Sequence, residues 1–215
     1  MVTSTETAVP EVRAAQSALP SASFWAGNPA LLGYPVFVLG SIALGLALVG
    51  FVPANAKSSV LPIVIAASGI GVFVSALWSI ALGQGIPAAI FGLFAGFWLS
   101  YSLLVLGLIH GWYAIPASSV AKSQELFLLS WAIIMASLTA ATLRLPAAYP
   151  VLLGLVTLSL VLVYISTAEA SPSVGKAGGV VALLFAAQGL YMFLGEASSA
   201  TGGRSYPLGR PLVRS

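Results

Sequence analysis

Residues 86–109 read IPAAIFGLFAGFWLSYSLLVLGLI, 24 positions without a single charge. A helix needs about 20 consecutive apolar residues to cross the hydrocarbon core of a bilayer, so this stretch predicts a membrane span. Upstream, Gly83-Gln84-Gly85 with Pro87 reads as a tight turn, because Gly and Pro punctuate helices. It separates the span from an earlier one over 60–82, and a first span over 31–52 ends at Pro53. Downstream, a loop over 111–123 holds Pro116, Ser118, Ser119 and Lys122. A fourth span follows over 124–143. Arg144-Leu145-Pro146 turns into a fifth over 147–168, a loop over 169–176 contains Pro172 and Gly175, and a sixth span covers 177–194. The predicted fold is an all-α integral membrane protein, a bundle of six transmembrane helices.

Composition agrees with this and removes several chemistries. Of the 215 residues 59% are hydrophobic and 6% charged, far below the roughly 25% charged residues of a soluble domain. There is no Cys, no Asp and one His, His110. That leaves no disulfide, no cysteine or His-cluster metal site and no Ser-His-Asp triad. No enzyme active site, metal or cofactor is expected. The net charge of +3 is scattered rather than striped, which argues against a nucleic-acid partner.

Three regions follow: a polar N-terminal tail over 1–27, read as disordered, a transmembrane domain over 28–196 and a basic C-terminal tail over 197–215. The N-terminal tail lacks the charged start and apolar core of a secretory signal. Phe24 and Trp25 suit the membrane interface before the first span. Six spans place both termini on one side. That side carries Arg13, Arg144, Arg204, Arg210 and Arg214 against Lys57, Lys122 and Lys176 on the other, so the positive-inside rule predicts cytoplasmic termini in the cell membrane.

No ionisable residue falls near the middle of a span. Glu125 opens span four, Glu169 and Glu196 sit at helix exits and His110 closes span three. Coupling through a mid-membrane titratable group is therefore not expected. Small residues recur every four positions: Ala88, Gly92, Gly96 and Ser100; Ala132, Ala136 and Ala140; Gly178, Ala182 and Ala186. Such faces let helices approach closely, either within one bundle or between protomers. The entry to span one, Asn28-Pro29-Ala30-Leu31-Leu32-Gly33-Tyr34-Pro35, also has two readings. It is an ordinary start with Asn28 as cap and Pro29 in the first turn, or an irregular start whose free amides meet a small anion.

Asn28-Pro29-Ala30, then Gly33 and Phe37, resembles the opening signature of the acetate uptake transporter family, the YaaH-like acetate/succinate carriers. Phe97-Trp98 in span three, Trp131 in span four, and Tyr191, Gly195-Glu196, Gly203-Arg204 and Pro207-Leu208-Gly209 at the end are similar to that family's pattern over about residues 28–210. The resemblance implies a ring, with a hexamer the expected homo-oligomer, and one path per protomer for acetate and similar small carboxylates, by proton-linked or channel-like movement. It further implies an apolar constriction at Phe37, Phe94 and Val156. The sequence departs from the pattern at Phe94, where the family has Tyr; at Val72, where it has Gln; at Leu31, where it has a second Pro; and in its added Pro35.

The resulting expectation is a membrane channel or proton-linked transporter for acetate-sized monocarboxylates, with succinate as a further candidate. Asn28, Pro29, Ala30 and Gly33 would form the path entry, helped by Ser75, Thr157 or Gln188. A channel for a small neutral solute such as urea or ammonia, and a non-transporting membrane scaffold, are the alternatives. Membrane lipid is the expected surrounding partner in each case.

Overall fold

The computed structural model describes residues 26–213. The N-terminal tail, apart from Ala26 and Gly27, lies outside the described residues, as do Phe24, Trp25 and Arg214. Six helices long and apolar enough to cross a membrane follow in order: α1 (Ala30–Val49), α2 (Ala54–Ala81), α3 (Gly85–His110), α4 (Val120–Ala141), α5 (Ala148–Ala168) and α6 (Pro172–Ala200). No strand occurs among the described residues.

The helix ends follow local chemistry more than hydropathy. α1 stops at Gly50, whose φ of 95° turns the following Phe51 N–H back onto the Leu46 carbonyl at 2.9 Å, so the helix closes before Pro53 is reached. α2 is not uniform. It opens as a 3-10 turn over Ala54–Val60, widens into a π turn over Ile63–Gly69 and becomes regular only from Ile70 to Ala81. Pro62 supplies no N–H to the ladder, and the π turn begins at the next residue. α6 corrects the sequence reading at both ends. Pro172 sits in its first turn, where a missing N–H costs nothing, so residues 172–176 are helix rather than loop. The helix also runs through Ala197-Ser198-Ser199-Ala200, past the domain boundary set after residue 196. These small residues lower the hydropathy without breaking the helix.

α1 packs mainly on α6, α6 on α5, α5 on α4, and α2 on α3. α3 and α4 meet chiefly through rings: Phe97 lies 5.8 Å from Phe127 and 5.6 Å from Trp131. Glycine lets α1 seat against α2, since a Cβ at Gly40 would collide with the Ser68 hydroxyl, which donates a 2.7 Å hydrogen bond to the Val36 carbonyl. The small-residue stripes divide by helix. In α6, Gly178, Ala182 and Ala186 are all buried inside the protomer. In α4, Ala132 is buried but Ala136 and Ala140 face outward. Large apolar side chains such as Ile70, Phe73 and Leu77 of α2 and Leu126 and Ile133 of α4 are exposed, as a lipid-facing surface requires.

After α6 the chain doubles back as a strap. The Tyr191 hydroxyl donates to the Pro207 carbonyl at 2.9 Å and the Ser198 hydroxyl to that of Arg204 at 2.8 Å. The Ala148 N–H donates to the Leu208 carbonyl at 2.9 Å, and the Leu212 and Val213 N–H groups both donate to the Leu143 carbonyl. The start of α5 and the end of α6 are thereby tied together on the side where α1 begins.

Candidate functional site

The starts of α1, α3 and α5 and the end of α6 surround a cavity of about 340 Å³. Its mouth carries the polar groups: Asn28, Gln84, Tyr34, Tyr149 and Glu196. Its depth is apolar, with Phe91, Leu153, Phe37 and Phe94. Leu208 of the strap lines it as well. Among the described residues, Glu196 is its one charged lining residue, and no Lys or Arg lines it.

Both ends of the Asn28 side-chain amide are engaged. Its Oδ1 accepts from the Ala30 N–H at 2.9 Å, and its Nδ2 donates to Glu196 Oε2 at 2.7 Å. The Leu31 N–H reaches the Asn28 carbonyl, and those of Leu32 and Gly33 reach the Pro29 carbonyl. The entry to span one is thus a satisfied, capped helix start. The alternative of free amides aimed at an anion does not describe this structure. Asn28 and Ala30 line the cavity, and Pro29 between them is fully buried and does not line it. Gly33 acts through space: a Cβ there would overlap the Phe91 ring, which forms part of the cavity wall.

Phe37 of α1 and Phe94 of α3 stand at the cavity floor. Their ring centroids are 4.4 Å apart, and Phe185 of α6 stacks on Phe37 at 5.8 Å. Both rings also line a second, much smaller cavity of about 30 Å³, whose wall includes Val156, Trp98 and Ser159. Phe37, Phe94 and Val156 are 3%, 4% and 6% exposed. Phe37 and Phe94 thus line both cavities, whereas Val156 lines only the smaller one.

The other sequence candidates are placed differently. Phe97 and Trp98 stack edge-on at 5.0 Å and Trp131 joins the ring cluster between α3 and α4. Tyr191 and Arg204 serve the strap. Ser75 and Thr157 donate to carbonyls of their own helices, and Gln188 donates to the Ala148 carbonyl. None of these three lines either cavity. Sequence reading missed Phe185 and the Tyr34–Tyr149 hydroxyl pair at 3.2 Å. Those partners lie on different spans, and nothing local signals their meeting.

This architecture defines an α-helical multi-pass membrane protein with a solute-sized cavity and a smaller apolar one that share the Phe37 and Phe94 rings. The chain belongs to the GPR1/FUN34/yaaH family, whose sequence model matches residues 12–209. It is 28% identical over 192 residues to Accumulation of dyads protein 2 of Saccharomyces cerevisiae, covering 86% of this chain and 65% of that protein. Two relatives at 26% identity are Ammonia transport outward protein 2 of the same yeast and Acetate permease A of Emericella nidulans, each covering 74% of this chain and 57% of the relative. The chain thus spans about three-fifths of the length of these relatives. The fold is that of the bacterial acetate channel SatP, with a TM-score of 0.75 and 22% identity over 85% of this chain and 99% of that one.

Proposed function

We propose that this chain conducts acetate and similar small monocarboxylates across the cell membrane, as a conduit rather than an enzyme. The observation that carries the reading is the contact between Phe37 and Phe94, the two rings that line both cavities. An apolar neck of this kind rejects hydrated ions, which lose their water shell without replacement. The larger cavity has room for a molecule of a few heavy atoms, with polar groups at its mouth to receive a carboxyl head. The names of Acetate permease A and of the acetate channel SatP support acetate as the solute. Succinate, with a second charge to desolvate, fits the neck less well. Six protomers in a ring, each with its own path, and termini on the cytoplasmic side complete the proposal. The outward-facing Ala136 and Ala140 of α4 offer a smooth surface for contacts between protomers.

The test is uptake of radiolabelled acetate into proteoliposomes at two pH values. Saturable uptake that rises with acidity supports the reading, and no uptake above protein-free vesicles overturns it. A second reading is favoured by the name of Ammonia transport outward protein 2 and by the uncharged neck: conduction of a small neutral solute such as ammonia. Ammonia flux without any carboxylate flux selects it.

A further inference from the structure

The end of the bundle that holds the large cavity carries three exposed arginines, Arg144, Arg204 and Arg210. Arg144 precedes Leu145 and Pro146, and Arg204 and Arg210 flank Leu208; those three apolar residues line the cavity. Backbone bonds set the turn before α5 and the strap side by side. The Ala148 N–H donates to the Leu208 carbonyl, and the Leu212 and Val213 N–H groups donate to that of Leu143. Between these bonds Gly209, at φ 80°, runs so close that a Cβ there would stand 3.0 Å from the Ala147 methyl. The protein itself supplies the arginines with no anion. Residues 143–149 and 197–213 contain no Asp or Glu, and Glu196 is engaged by Asn28. Among the described residues the one ion pair is Lys122–Glu125, at the other end of the bundle. The strap also exposes apolar side chains, Tyr206, Leu212 and Val213, and the Tyr206 ring lies 5.3 Å from that of Tyr191.

We propose that Arg144, Arg204 and Arg210 form a docking surface for the phosphate of an anionic phospholipid headgroup, and that the bound lipid holds the strap over residues 203–213 in place. The inference is independent of which solute the chain conducts. Charge complementarity is the first argument: three guanidinium groups lack a carboxylate partner, and their planar donors match phosphate oxygens. Depth is the second. Arg144 follows the last turn of α4, which ends at Ala141, and the other two follow α6, which ends at Ala200. Basic and aromatic side chains just past the ends of spans lie at the headgroup layer. The apolar side chains are the third. A free small anion satisfies the arginines but leaves Tyr206, Leu212 and Val213 in water, whereas a lipid covers both kinds of group. Leu208 sits between the two strap arginines and in the cavity wall, so a lipid that fixes the strap also fixes that wall.

Two measurements on the full chain test this. Native mass spectrometry of detergent-solubilised protein, titrated with phosphatidylglycerol or phosphatidylcholine, reads the lipid preference. Phosphatidylglycerol should bind more tightly, and each of Arg144→Gln, Arg204→Gln and Arg210→Gln should weaken it about fivefold while leaving phosphatidylcholine unchanged. Hydrogen exchange in nanodiscs reads the strap. Residues 203–213 should exchange more slowly in phosphatidylglycerol than in phosphatidylcholine, and the variant with all three arginines replaced should exchange alike in both, with its helices unchanged. The single variants, each altering an exposed side chain, read the same loss should the triple variant fail to assemble. Equal affinity of the wild-type protein for the two lipids overturns the proposal, as does a phosphatidylglycerol preference that survives all the replacements. Inorganic phosphate that slows strap exchange in phosphatidylcholine as much as phosphatidylglycerol does would overturn the lipid as the occupant.

Discussion

Asn28, two residues before the first helix, donates a 2.7 Å hydrogen bond to Glu196 in the last, across 168 positions of chain. The same side chain caps α1 through its oxygen. One amide thus closes a helix start and clamps the first and last helices at the mouth of the large cavity. Asn28→Ala removes both bonds and leaves a partly buried carboxylate without its partner. The expected loss is about 1–2 kcal/mol, read as a lower midpoint of thermal unfolding in detergent. Asn28→Asp keeps the cap but faces Glu196 with a like charge, and should recover stability only at acid pH, where a carboxyl is protonated.

On the proposed path, Glu196 is the charge a carboxylate anion would meet at that cavity. Glu196→Gln preserves an acceptor for Asn28 and removes the negative charge. Uptake of acetate at neutral pH should rise, and succinate should gain more than acetate because it carries two charges. Competition between the two labelled acids in proteoliposomes measures this. An unchanged ratio of the two would remove Glu196 from any part in selectivity.

Gly33 makes room for Phe91. Gly33→Ala should destabilise by about 1–3 kcal/mol through overpacking, since the added methyl overlaps the ring. A second change, Phe91→Leu, should return much of that loss, because it removes the atoms the methyl strikes. Thermal unfolding of the two single variants and the double variant gives the coupling directly. Additive effects would mean that the backbone, rather than the ring, sets the cost.

The spans were legible because charge-free runs of membrane length are a composition signal, independent of what each helix touches. Their ends were not. Ala197 to Ala200 carry little hydropathy yet stay helical, and the π turn after Pro62 depends on how α2 seats against α1. The candidate site was legible in a different sense. Phe37, Phe94 and Val156 entered through a family resemblance, not through periodicity, since a Phe in a span looks the same on either face. Ser75, Thr157 and Gln188 illustrate the converse: polar residues inside apolar spans that bond to backbone carbonyls and line neither cavity. Trp98 stood out only as half of a motif, and its unpaired N–H exists only once the surrounding helices are placed.

The strap offers a prediction about access. Tyr191→Phe removes the hydroxyl that holds the Pro207 carbonyl, and Leu208 beside it lines the large cavity. The loss in global stability should be small, about 1 kcal/mol. Local opening should be larger in effect, with faster amide hydrogen exchange at residues 206–210 and little change in the helices. Exchange that is unchanged there would mean that the bonds from Ala148 and Leu212 hold the strap unaided.

The proposed neck supports the sharpest comparison. Phe37 and Phe94 touch at 4.4 Å, and Phe37 is backed by Phe185 at 5.8 Å. Phe94→Ala leaves Phe37 supported by its stack and removes one side of the neck, so water enters and the barrier to hydrated solutes falls. Phe37→Ala removes the ring that the other two rest on, and should cost more stability, about 3–5 kcal/mol against a smaller loss for a Phe94→Leu control. Both alanine variants should raise uptake and weaken discrimination between acetate and larger acids. Phe94→Tyr separates size from chemistry, because the ring is retained and a hydroxyl is added at a cavity wall. A donor placed at the neck should lower the KM for carboxylic acids and leave flux of a neutral solute such as ammonia nearly unchanged. Uptake of both solutes by the three variants at wild-type rates, with normal assembly, would place the barrier elsewhere in the bundle.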